Sequence, residues 1–211
     1  TTVLEMFVGQ EDLLESILSA LGINISVGTS DDYSSGTETD GGYYVFDAIG
    51  NGPDVIWWSQ QWYPNSPYGT SGSTVSGNGC GPSSLAIVYS SLTGDIWSPP
   101  EAAKWCTEKG YVAYNSSGEA VGPYTIFSKA TIEIGLRVDY TGCGSKDLDT
   151  ALEYLDDGDL IVCVVGCNAK NNPIFTGSGH FLVIRGVTED GKLILADPNG
   201  GVERSLNTVY D

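Results

Sequence analysis

The run Leu160-Ile161-Val162-Cys163-Val164-Val165 constrains this chain most, because six apolar residues in a row, rich in β-branched types, read as a buried strand. Two more apolar runs follow, His180 to Val187 and Lys192 to Asp197, parted by Glu189-Asp190-Gly191. Asp-Gly between apolar runs is a hairpin signal. Upstream, apolar residues recur mostly at helical spacing. Helices first and antiparallel strands after predict an α+β fold rather than alternating βαβ units. No internal repeat is visible.

The predicted helices are punctuated. In Asn78-Gly79-Cys80-Gly81-Pro82-Ser83-Ser84-Leu85, proline suits a first helical turn, and Gly94 is placed to end the helix that follows. Ser98-Pro99-Pro100-Glu101 reads as an N-cap opening a second helix, which Gly110 closes. Tyr124 to Ile134, stopped by Gly135, and Ser145 to Asp157, with Leu148, Leu152 and Leu155 on one face, are two more. Tyr43 to Phe46 and Val55 to Trp58 are strand-like and aromatic. Nearer the start, Leu13, Leu14, Ile17, Leu18 and Leu21 predict a short amphipathic helix over Glu11 to Leu21, with Gly22 as its cap. Residues 28–42 are polar, acidic and glycine-rich, as linkers are. The expected organisation is a helical appendage or remnant of an upstream domain over 1–27, a linker over 28–42, and one domain over 43–211.

Charge narrows the partners. The formal net charge is −18 and the first basic residue is Lys104, so the chain lacks the clustered cations that bind nucleic acid or anionic membranes. No run is long enough to span a membrane, and the first residues lack the basic-then-apolar pattern, so no signal peptide is expected among them. Beginning at Thr-Thr, it is expected to be a processed protein or part of a longer multidomain one. Only 17% of residues are charged, and Gly, Ser, Thr, Tyr, Asn and Trp are plentiful, which suggests a secreted or surface protein. The cysteines are Cys80, Cys106, Cys143, Cys163 and Cys167, and an odd number leaves at least one free thiol. Neither a CxxC pair nor a histidine cluster suggests zinc. Cys163 and Cys167 read as buried packing, whereas Cys106 and Cys143 could pair in an oxidising setting.

Chemistry converges on a cysteine, a histidine, an aspartate and a pair of glutamines. Cys80 sits where unpaired N–H groups and the helix dipole favour a thiolate. His180, the only histidine, follows the flexible Thr176-Gly177-Ser178-Gly179 and begins a strand. In a hairpin in register, Asp197-Pro198-Asn199 ends near its level. A carboxylate there can hold the imidazole by Nδ1–H and leave Nε2 to the thiol, and it can also form an Asx-turn ahead of the proline. Gln60 and Gln61, closing an apolar aromatic run before the cysteine, carry amides able to donate to an oxyanion. Trp57, Trp58, Trp62 and Tyr63 are candidates either for the lining of a cleft or for core packing.

Trp58-Ser59-Gln60, Pro67-Tyr68-Gly69, the Gly79 to Ala86 stretch, Gly179 to Ile184 and Asp197-Pro198-Asn199 together, in that order, resemble the papain-like cysteine peptidases. Within them the likeness is to relatives of the bacteriocin-processing peptidases that cleave after double-glycine leaders. The resemblance implies a papain-like fold, with the nucleophile at a helix N-terminus packed on a C-terminal antiparallel sheet. It implies Cys80 as nucleophile, His180 as base, Asp197 as the orienting residue and Gln60 as oxyanion donor, with adjacent Gln61 as the alternative. Such chemistry needs no cofactor. The expected substrate is a peptide or a peptidoglycan cross-link, with leader-peptide processing or a catalytically silent binding module as alternatives. No GxxxxGK[ST] motif of an exporter is present.

Overall fold

A computed structural model describes residues 2–7, 28–29, 35–141, 147–165, 175, 179–188, 191–206 and 208–210. The helix expected over Glu11 to Leu21 lies outside them, as do Cys143 and Cys167. The fold is α+β. Its main sheet has seven strands in the order Gly28–Thr29, Thr208–Tyr210, Leu193–Ala196, His180–Val187, Leu160–Val165, Thr2–Phe7, Arg137–Thr141. Pairing is antiparallel from the first of these to Leu160–Val165, and Thr2–Phe7 runs parallel to both its neighbours.

Leu160–Val165 has no polar face because neither side of it meets water. Leu160, Val162 and Val164, with Phe181, Val183 and Ala196, join a core that includes Leu85 and Ile87 of the helix Cys80–Thr93. Ile161 and Cys163, with Leu182, Ile184 and Leu195, turn the other way onto Ala151 and Leu155 of the helix Asp147–Asp156. A strand buried on both faces has no need of alternation.

The central helix starts at Cys80 and stops where Gly94 takes the left-handed conformation, φ 78°, which a residue with a Cβ adopts at a cost. Beside it packs Pro99–Lys109, whose Glu101 accepts the Ser98 N–H at 2.9 Å and the Ser98 hydroxyl at 2.6 Å. The expected helix over Tyr124 to Ile134 forms as a π-helical turn, Ile126–Ala130, running into Thr131–Glu133. The strand-like runs form as Tyr44–Phe46 and Val55–Trp57, which with Gly36–Glu38 make a second antiparallel sheet against the central helix. Trp57 and Phe46 stack in it at 5.5 Å.

One buried cation ties these parts together. The hairpin register slips between Ile184 and Gly186. There Arg185, 2% exposed, donates to the carbonyls of Leu195 at 3.3 Å, Asp47 at 3.3 Å and Ser205 at 3.2 Å, and its guanidinium lies 4.9 Å from the Phe46 ring. Hydrogen bonds to three carbonyls and a ring face offset the cost of burying that charge.

Candidate active site

Hairpin geometry brings two of the predicted residues together. Val183 pairs with Ala196, so one step further Asp197 stands opposite Leu182 and diagonal to His180 on the same face. His180 Nε2 meets Asp197 Oδ1 at 2.7 Å, with both side chains buried. The expected ring orientation is corrected here: Nε2 faces the carboxylate, which leaves Nδ1 for the thiol. His180 is the first residue of its strand, and the torsions of its side chain set which edge of the ring meets Asp197.

Asp197 is fully buried and held at every polar atom. Its N–H donates to Ser205 Oγ at 3.1 Å, and its carbonyl accepts from Trp57 Nε1 at 3.0 Å. Oδ1 also accepts the Asn199 N–H at 2.8 Å, so the Asx-turn and the imidazole contact coexist on one oxygen. Oδ2 lies 3.4 Å from the Arg204 guanidinium. None of Trp57, Ser205 or Arg204 is conspicuous as a partner in the sequence, because each reaches Asp197 through the fold and carries no motif.

Cys80 opens the central helix and is partly exposed. Burial would push its thiol up, but a hydrogen bond and charge from His180, with backbone N–H groups of Phe181 and Gly81, bring it below the ordinary value. His180 moves the opposite way: burial would lower it, and Asp197 and Cys80 together raise it. Imidazolium and thiolate therefore favour each other.

The flanking glycines serve packing. A Cβ on Gly79 would lie 2.5 Å from the Val75 carbonyl oxygen. One on Gly81 would crowd Ile126 at 3.1 Å and the Gly122 backbone at 3.3 Å, so Gly81 lets two chain segments touch behind the thiol.

The two glutamines differ. Both donate from Nε2 to the Ser76 carbonyl, Gln60 at 3.0 Å and Gln61 at 3.1 Å. Gln61 commits a second N–H to Asn199 Oδ1 at 2.6 Å, whereas Gln60 has none committed beyond Ser76. Gln60 is buried, and its N–H donates to the Pro198 carbonyl at 2.7 Å, joining its turn to the Asp197 turn.

A cleft of about 450 Å³ opens over these groups, lined by Gln60, Cys80, Glu119, Tyr124 and His180 among others. The aromatic cluster does not line it: Trp57 and Trp58 are core, Tyr63 packs against the core, and Trp62 is 44% exposed elsewhere. Cys106 is a free, buried thiol. Among the described residues no helix is long and apolar enough to cross a membrane, and no group of His, Cys, Asp and Glu could hold a metal.

Thiol, imidazole and carboxylate in series on an α+β frame suit the cysteine peptidase class. Residues 53–211, well over half of the chain, match the family model described as the Peptidase C39 like family, and the chain belongs to that family. No curated protein and no solved structure matches it.

Proposed function

We propose that the chain is a cysteine peptidase with Cys80 as nucleophile, His180 as general acid and base, and Asp197 as the orienting carboxylate. The observation that carries this reading is the convergence of the only histidine on both Asp197 and Cys80, with the thiol lowered and the imidazole raised. The same shift argues against a silent binding module, which has no use for a thiolate.

The Cys80 thiolate attacks the amide carbonyl and the C=O electron pair moves onto oxygen. That oxyanion is met by the uncommitted N–H of Gln60 and the backbone N–H of Cys80, in a first helical turn whose N–H groups have no carbonyl partner within the helix. Gln61 is the poorer donor because its two N–H groups are already engaged. As the C–N bond breaks, Nδ1–H of His180 passes its proton to the leaving amine. A water that gives a proton back to Nδ1 then hydrolyses the thioester and releases the thiolate. Asp197 holds the ring by Nε2 throughout and stabilises its charged form.

A composition poor in charge and rich in small polar residues supports an extracellular setting, and with it a peptide or peptidoglycan cross-link as substrate. The test is hydrolysis of a peptide panel and of purified peptidoglycan by the wild type, Cys80→Ala and His180→Ala, with products identified by mass. Cleavage is expected to drop to background in both variants; cleavage surviving both overturns the assignment.

A further inference from the structure

One wall of the cleft is a small hairpin, Ala113–Tyr114 paired with Ala120–Val121. Its turn is organised by Asn115. The Asn115 N–H donates to the Glu119 carbonyl at 3.0 Å, and Oδ1 accepts the N–H of Ser117 at 3.0 Å and of Glu119 at 2.9 Å. The Asn115 amide Nδ2 then donates to Glu119 Oε2 at 2.8 Å. The carboxylate is thereby held on a fixed turn at the cleft by one of its two oxygens. No Lys or Arg among the described residues pairs with it, and among those lining the cleft Glu119 is the only Asp, Glu, Lys or Arg.

Beside the Cys80–His180 pair, Glu119 carries the one further charge among the described residues lining the cleft. Glu119 is exposed at the rim of the cleft, where the low-dielectric walls beside it focus its field more than open surface would. Pre-orientation by Asn115 also reduces what ordering the side chain costs when a ligand arrives. At long range, the −18 of the whole chain acts with the same sign.

We propose that Glu119 selects substrates with a positive charge beside the scissile bond, carried on the Lys or Arg side chain of a peptide. The proposal rests on Cys80 being the reactive thiol at the base of this cleft.

Three methanethiosulfonates test it: the cationic trimethylammonioethyl and the anionic sulfonatoethyl, which are of similar reach, and the smaller neutral methyl reagent. Each forms a mixed disulfide on a thiolate and releases methanesulfinate. Rates at Cys80 are read by peptide mapping and normalised to the neutral reagent. Glu119→Gln is expected to cut the cation-to-anion rate ratio about three- to tenfold, the effect of one nearby charge in a partly solvated site. Glu108→Gln makes the same change of charge on the helix Pro99–Lys109, outside the cleft lining, and is expected to alter the ratio less than about twofold. Equal effects of the two variants overturn the proposal, since net charge alone would then account for the preference. Should the neutral reagent fail to modify wild-type Cys80, the nucleophile assignment falls and the proposal with it. Paired peptides differing by Lys against norleucine provide a second readout: the wild type is expected to cleave the Lys peptide several-fold faster in kcat/KM, and Glu119→Gln to lose that advantage. No difference in the wild type overturns the selectivity while leaving the peptidase assignment standing.

Discussion

Cys80 and Cys106 lie on helices that pack against each other, and both border the same apolar core. Burial acts on them alike, disfavouring the thiolate. At Cys106 nothing opposes it, and the thiol is pushed up to about 12. At Cys80 the His180 side chain and two backbone N–H groups more than reverse it. Reactivity here therefore depends on what the end of a helix is turned toward. Cys106 is mid-helix and fully enclosed, whereas Cys80 begins its helix at a cleft that the C-terminal hairpin also reaches.

The largest expected effect breaks this contrast directly. At pH 6 a thiol near 12 holds about one part in a million as thiolate. Iodoacetamide is therefore expected to label Cys80 at least about a thousandfold faster than Cys106, as resolved by peptide mapping. In His180→Ala the first cause of the lowering is gone, and labelling of Cys80 at pH 6 is expected to fall by roughly two orders of magnitude. Comparable labelling of both thiols in the wild type would refute the contrast. Raising the pH separates thiolate from general acid. With His180 raised to about 9, the imidazolium is lost above that value while the thiolate remains. Peptide turnover should decline through pH 9 while alkylation of Cys80 does not.

Part of this contrast is legible in the amino-acid sequence. Gly-Cys-Gly-Pro ahead of an apolar run marks a helix N-terminus, and a lone histidine opening one strand of an Asp-Gly hairpin points to the residue that closes the other. Those signals are local or depend on hairpin register, which a sequence carries. The rest depends on contacts between distant segments. Arg185 looks like a stray charge in a strand until Asp47, Leu195 and Ser205 are seen to turn their carbonyls toward it. Glu119 sits in a turn flanked by two-residue strands, too short to show any periodicity. The ring nitrogen that faces Asp197 follows from the side-chain torsions of His180, which spacing does not encode. Whether Trp57 and Trp58 face a cleft or the core is equally hidden, because an aromatic run fits either.

The glutamines extend the comparison from the thiol to the charge it creates. Both touch the Ser76 carbonyl, but only Gln60 keeps an N–H uncommitted. Gln60→Ala is expected to lower kcat by about a hundred- to a thousandfold with little change in KM, the mark of a group used mainly in the transition state. Gln61→Ala loosens Asn199 and Ser76 and is expected to cost less than about tenfold. A larger loss in Gln61→Ala would transfer the oxyanion role to it.

The smallest effect tests the other thiol. If Cys106 is only a small apolar group packed between helices, Cys106→Ala should remove its sulfur contacts and nothing else, costing about 1–2 kcal/mol of stability by urea titration. Activity and Cys80 alkylation should match the wild type, because burial at Cys106 contributes no charge to the cleft. A change in the pH dependence of Cys80 labelling in this variant would mean that the two sites are coupled through the helix pair. The thiols would then share one environment, and the distinction between an enclosed position and a helix end would no longer explain why one is lowered and the other raised.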